Sequence, residues 1–302
     1  MKKTIVRYLK RVVPKPVYTR LKNAIERRKN IAFLDKLKGD ILKYYEHERE
    51  NQEVKEVVNY LKTNPITVYP YDFTKKYNEE LIEVFTDQEK QLRYVIHEEK
   101  RLYFKRSLSE TAIKKLYLGL QLDQDKASPH LYLTEGFKLK PHDIIADIGA
   151  AEGNFSLSNI EKVKKVYLFE YDQGWLEALR ATFEPWKDKV VIIDKFVSNV
   201  DSDTTISMNS FYSQHPKITF FKVDIEGSEA RFLEGFDQIL NKDISMKMAL
   251  CTYHKQNDEK EFTQILDQYG FKVAASNRYM IFIYDKNIEA PYLRRGLLRA
   301  TR

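Results

Sequence analysis

From residue 143 onward, short apolar runs alternate with longer amphipathic stretches, the rhythm of strands joined by helices. The runs predict strands at 143–148, 165–170, 190–194, 218–224, 246–252, 271–276 and 279–284. Only Asn277 and Arg278 separate the last two. Parallel neighbours need a crossover of about a dozen residues or more, so this closing pair must be an antiparallel hairpin. The pattern is that of an α/β domain, a doubly wound sheet with one antiparallel end.

The chain before residue 107 reads differently. Ile5, Tyr8, Leu9, Val12 and Val13 fall at helical spacing among Lys and Arg, and Pro14 and Pro16 stop that helix. It serves either as an amphipathic surface anchor or as a first helix packed on its own domain. Residues 17–62 read as helical, with a weak point at Lys38-Gly39-Asp40. Alternation around tight polar turns at 84–87, 93–96 and 101–104 predicts a small antiparallel meander. A helix over 109–122 follows, with Ile113, Leu116, Tyr117 and Leu120 on one face. The expected organisation is a helical and β-meander extension (1–106), an α/β domain (107–290) and a basic tail (291–302).

Composition narrows the class. Of 302 residues 43% are hydrophobic, ample for a core, and no run approaches the ~18 apolar residues of a membrane span. A single cysteine, Cys251, excludes an intrachain disulfide framework and a multi-cysteine metal site; within an apolar strand it reads as a small buried residue. The cytoplasm is the expected compartment. The overall charge of +7 is uneven: residues 1–30 net +10, residues 290–302 add +4, and the rest is net −7. A nucleic-acid groove would put basic charge on the body, so that partner is disfavoured. Basic ends on an acidic body better fit peripheral contact with an anionic membrane, or an acidic partner.

The chemistry starts at the first strand of the domain. Residues 143–156 run Asp-Ile-Ile-Ala-Asp-Ile-Gly-Ala-Ala-Glu-Gly-Asn-Phe-Ser. Asp147 ends the apolar run, Gly149 allows a tight turn, and Gly153 lets a helix start approach a ligand. This D-x-G-x-x-x-G is not the G-x-G-x-x-G dinucleotide fingerprint. A carboxylate before the first glycine suits S-adenosylmethionine, with its ammonium group and a linker that needs no phosphate cradle. Glu170 ends the second strand, 21 residues after Gly149, where an acid accepts ribose hydroxyls. Tyr171 follows and is placed to pack on adenosine, and Lys195, Phe196 and Val197 lie near the expected adenine position.

Three acids, Asp224, Glu226 and Glu229, cluster at the carboxyl end of the fourth strand, where open α/β sheets place ligands. A helix dipole alone explains Glu229, but Asp224 ends an otherwise apolar strand. His254 follows the fifth strand on the same edge and is suited to take a hydroxyl proton near neutral pH. His130 precedes the glycine motif and is placed to cap the same pocket. No obligatory metal is expected.

The run Lys222-Val223-Asp224-Ile225-Glu226-Gly227-Ser228-Glu229, with Phe232-Leu233-Glu234-Gly235, resembles the signature of the FkbM family of S-adenosylmethionine-dependent methyltransferases. The resemblance covers roughly 107–285 and implies a class I methyltransferase sheet of seven strands. It assigns Asp147, Gly149, Gly153 and Asn154 to the cofactor, alongside Glu170 and Tyr171. It also implies O-methylation of sugar hydroxyls in surface polysaccharide or glycolipid assembly. His254 is the favoured base, Asp224 and Glu226 its partners, and His130 and Glu229 acceptor contacts. Thr252 stands where the family commonly has an acid two residues before the histidine. The absence of an Asp/Asn-Pro-Pro-aromatic loop after Asp224 disfavours base amino methylation. The competing expectation is a non-catalytic scaffold of the same fold that binds partners through residues 1–106.

Overall fold

The computed structural model describes residues 15–215 and 217–302, with side chains from 23 onward. The helix expected around Ile5–Val13 lies outside the described residues. Helix α1 spans Lys15–Tyr44, with Pro16 in its first turn, where a missing N–H costs no hydrogen bond. It passes through Gly39 without a break; the interruption comes at 45–51, before α2, Gln52–Thr63. Asn51 caps α2 by accepting from the Glu53 and Val54 N–H groups.

Strands β1 (Phe85–Asp87), β2 (Leu92–His97) and β3 (Lys100–Tyr103) form the antiparallel meander. The meander is not a separate unit: Leu102 and Phe104 share a buried cluster with Ile145, Val166 and Leu168 of the main sheet. Helix α3, Glu110–Asp123, is capped by Ser109.

The main sheet uses β4 (Ile144–Ile148), β5 (Lys165–Glu170), β6 (Val190–Asp194), β9 (Phe220–Val223), β10 (Lys247–Cys251), β11 (Lys272–Ala275) and β12 (Leu297–Thr301). The short strands β7 (Phe196–Val197) and β8 (Thr205–Ile206) pair beside it. Helices α4 (Asn154–Asn159), α5 (Gln173–Thr182), α6 (Met208–Gln214), α7 (Glu229–Glu234), α8 (Asp237–Leu240) and α9 (Asp258–Gln268) make the connections. The order is β11-β12-β10-β9-β4-β5-β6, with β12 antiparallel to both its neighbours and the others parallel. The chain winds outward from β4 to β6, then returns to β9 on the other side of β4. That reversal makes the carboxyl ends of β4 and β9 the crevice in which open sheets bind ligands. Apolar clusters cover both faces, one around Phe221, Phe232 and Phe236, the other around Phe104, Phe155 and Phe220.

Two expectations need correction. Residues 279–284 are not a sheet strand, and 291–302 are not a tail. The adjacent apolar residues Met280 and Ile281 enter a third cluster with Leu37, Ile41, Val57, Leu61 and Tyr71 of the extension. The Ile281 N–H donates to the Val68 carbonyl at 3.0 Å. The antiparallel partner of β11 is the last strand, whose Leu297, Leu298 and Ala300 are buried. The terminal arginines are structural: Arg294 meets Asp285 at 2.6 Å and Arg295 meets Glu53 at 2.6 Å. Arg299 donates to the Tyr132 carbonyl, and Arg302 to those of Leu240 and Tyr269. The apolar run 279–284 identified residues that are buried, but not which surface buries them.

Candidate active site

A cavity of about 440 Å³ opens at the β4/β9 crevice. Gly149, Ala150, Ala151, Glu152 and Asn154 line one side, Glu170, Tyr171 and Phe196 one end, and Asp224, Glu226 and Tyr253 the other. The loop after β4 is forced by backbone sterics. Gly149 has φ +74°, and a Cβ there would stand 2.0 Å from the Asp224 carbonyl oxygen. Glycine is therefore what lets the ends of β4 and β9 approach. At Gly153, φ +84°, a Cβ would instead meet Leu179 and Phe183 at 2.8 Å. The expected ligand approach at Gly153 is thus a helix-packing requirement, since this residue does not border the cavity.

Glu170 ties the two strand ends together. Its Oε2 accepts from the Ala151 N–H at 3.0 Å, and its Oε1 from the Tyr171 and Asp172 N–H groups at 2.8 Å. Tyr171 and Phe196 lie with ring centroids 4.3 Å apart, walling the same end. Lys195 and Val197 also line the cavity, where the sequence put them.

Asp147 is the main revision. It is fully buried behind the loop, 3.1 Å from Lys222 Nζ and 2.6 Å from Ser156 Oγ, and it does not border the cavity. Lys222 also donates to the Gly149 carbonyl at 2.6 Å. Burial alone would lower the Lys222 pKa, but Asp147, then Asp224, hold it well above its usual range. The carboxylate inside the cavity is Glu152, between the two glycines. Burial is the largest influence on it and raises its pKa from 4.5 to about 7. Asp123, also on the cavity wall, accepts from Tyr69 Oη of the extension at 2.5 Å and is likewise pushed up by burial.

The Glu152 shift has a measurable consequence. The folded state binds this proton more tightly than the unfolded chain, so the associated stability is full below pH 4.5 and is lost as pH rises to about 7. Glu152→Gln is expected to stabilise the ligand-free protein by roughly 3 kcal/mol at pH 8 and to change little at pH 4. Urea midpoints at the two pH values check this; an equal effect at both refutes it.

At the other end, Asp224 accepts from Tyr132 Oη at 2.9 Å and from Tyr253 Oη at 3.0 Å. Burial would raise its pKa, but His130, Lys222 and His254 hold it well below the usual carboxylate range. His130 Nε2 lies 3.5 Å from Asp224 Oδ2. The ring is buried between Tyr132 and Tyr253, so His130 supports Asp224 from behind and is not an acceptor contact.

Glu229 is fully buried, and its Oε1 accepts from the Ile225 and Gly227 N–H groups. It shapes the turn after β9, with Glu226 at φ +54° and Gly227 at +89°, and is not an acceptor contact either. His254 Nδ1 lies 3.1 Å from Glu229, while Nε2 is 3.6 Å from Glu226 and 3.7 Å from Asp224. Burial lowers its pKa, but Glu226, Glu229 and Asp224 together raise it to about 10. Without ligands these carboxylates favour the protonated imidazole of His254, which weighs against its acting as a base on its own. Sequence reasoning left Glu152, Tyr132 and Tyr253 without a role and did not assign Lys222 to the site. A lysine inside an apolar strand, and an acid between two loop glycines, were the available signals.

The strand order and a cavity at the switch point define an α/β methyltransferase-type domain. Residues 193–273 match the methyltransferase FkbM domain, a stretch that includes Asp224, Glu226, Glu229 and His254. The matched stretch is thus similar to an FkbM methyltransferase domain. Among solved structures it is similar to the methyltransferase FkbM of Methylobacillus flagellatus KT, at 15% identity and TM-score 0.43 over 64% of this chain. The match spans 53% of that protein, about half its length. A putative methyltransferase from Streptococcus mutans, solved in complex with SAH, is 18% identical at TM-score 0.34, covering 54% of this chain and 90% of that one. An rRNA methylase from Streptococcus thermophilus is 15% identical at TM-score 0.36, covering 54% and 87%. These likenesses concern the fold. No curated protein matches.

Proposed function

We propose that the protein is an S-adenosylmethionine-dependent O-methyltransferase acting on a sugar hydroxyl in surface polysaccharide or glycolipid assembly. The observation that carries this reading is one continuous cavity, running from Glu170, Tyr171 and Phe196 past the glycine loop to Asp224 and Glu226. Its first end suits a nucleoside: an acid for the ribose, two rings for the adenine. Glu152 suits the methionine ammonium, which would draw off its proton. S-Adenosylmethionine supplies an already activated methyl group. The protein's work is then to align an acceptor oxygen in line with it, exclude water and remove one proton. Asp224, fixed by two tyrosine hydroxyls, orients the acceptor hydroxyl. Glu226, 89% exposed at its side chain, carries the proton to solvent.

Calorimetry with S-adenosylmethionine tests the reading. Glu170→Ala is expected to weaken binding roughly 10–150-fold, the loss of ~1.5–3 kcal/mol of hydrogen bonding to a charged group. Unchanged affinity in a folded variant refutes the assignment. Methyl transfer to sugar nucleotides and lipid-linked sugars then tests the acceptor.

The extension supports a cytoplasmic enzyme working at a membrane face. Along α1, residues 23–32 are exposed, including Arg27, Arg28, Lys29, Ile25 and Ile31. Among the described residues no helix is long and apolar enough to cross a membrane. Basic and apolar groups on one exposed helical arm suit anionic headgroups.

A further inference from the structure

The carboxyl ends of β9 and β10 gather three carboxylates, Asp224, Glu226 and Glu229, around one histidine, His254. Lys222 is committed to Asp147 and the Gly149 carbonyl. The imidazole is itself unusual: it is buried, yet neither ring nitrogen has an aligned hydrogen bond. Buried polar atoms are ordinarily satisfied, and a ring nitrogen aimed between two carboxylates without bonding either suits a shared third body.

The distances from His254 suit one cation. His254 Nε2 lies 3.7 Å from Asp224 Oδ1 and 3.6 Å from Glu226 Oε2. Donor atoms each about 2.1 Å from one cation stand roughly 3–4 Å apart. The other ring nitrogen, Nδ1, faces Glu229 Oε1 at 3.1 Å, and Glu229 is pinned by two backbone N–H groups. A buried carboxylate behind a histidine is the outer support that fixes a metal-ligating imidazole. Tyr253 Oη occupies one lone pair of Asp224 Oδ1 and leaves the other available. Glu226, on a glycine turn at the open end of the cavity, is the ligand free to close on the ion.

We propose that His254 Nε2 and Asp224 Oδ1 begin a divalent-cation site that Glu226 completes by closing on the ion, with Glu229 as the positioning residue. One imidazole with two carboxylates suits a cation of the Mn²⁺ or Mg²⁺ kind, with its remaining positions open to water and to the acceptor oxygen. The ion would lower the pKa of a bound hydroxyl. The sequence assigned no metal to this site. The cation's catalytic use rests on the methyltransferase reading above; its binding does not.

Mn²⁺ alone is titrated into the full-length protein and followed by electron paramagnetic resonance. One ion per chain is expected to bind. Glu226→Gln, an exposed substitution that spares the core, and His254→Ala should each weaken that binding at least about tenfold. Failure of the wild type to bind Mn²⁺ stoichiometrically overturns the site, and so does wild-type affinity in Glu226→Gln, whether or not His254→Ala folds. S-Adenosylhomocysteine is titrated into the same wild-type preparation. Its binding without Mn²⁺ binding overturns the cation site alone, whereas failure of S-adenosylhomocysteine to bind counts against the cofactor reading.

Discussion

Truncation after Gly296 is expected to abolish folding. The six residues removed carry β12, which lies between β10 and β11 and is hydrogen-bonded to both. Leu297 and Leu298 are fully buried, each against a different face of the sheet. Burying two leucines is worth roughly 3–6 kcal/mol, comparable with the ~5–15 kcal/mol total stability of a domain. The loss goes further, because β11 has no other partner in the sheet. Arg302 also links the carbonyls of Leu240 and Tyr269 from this strand. Circular dichroism and denaturant unfolding of the truncated chain check the expectation. A cooperative transition near the wild-type midpoint would mean that the last residues are dispensable, as a basic tail would be.

Lys222→Met should destabilise the protein by about 3–5 kcal/mol, the usual consequence of leaving one member of a buried ion pair uncompensated. Asp147 would keep its charge with only Ser156 as a close partner, and the Gly149 carbonyl would lose its donor. Adding Asp147→Asn removes the stranded charge, so the double variant is expected to recover much of the loss. Chemical denaturation of the wild type, both single variants and the double variant measures this coupling. Strict additivity would show that the pair does not act as a unit. S-Adenosylmethionine affinity in the double variant separates the two roles considered for Asp147. A positioning acid leaves binding weakened but present once the loop is restored.

The Lys222–Asp147 pair also marks where the sequence stopped being informative. Asp147 was legible as a special residue because an acid ends an apolar strand just before a glycine turn. Its direction was not legible, because successive side chains of a strand alternate faces and only the packed neighbour β9 brings Lys222 opposite it. Glu170 was read more fully. It ends β5 beside β4, so its placement by the glycine loop follows from the pairing of two consecutive strands. His254 shows the opposite limit: chain position put it on the correct edge, but its protonation depends on Glu229 and Glu226 folding back through the Gly227 turn.

The sequence by itself determined the elements whose signals are local. Apolar runs, glycines before a helix start, caps such as Ser109 and the short turns of the meander fixed the strand–helix alternation and put the acids at strand ends. The tertiary structure decided everything that depends on which surfaces meet. It sent 279–284 to the helical extension and drew the final five-residue strand into the sheet. It also turned Asp147 inward and left Glu152 in the cavity. The physical reason is that hydrophobic periodicity states that a face is buried, while the partner that buries it is chosen by the total packing of distant segments.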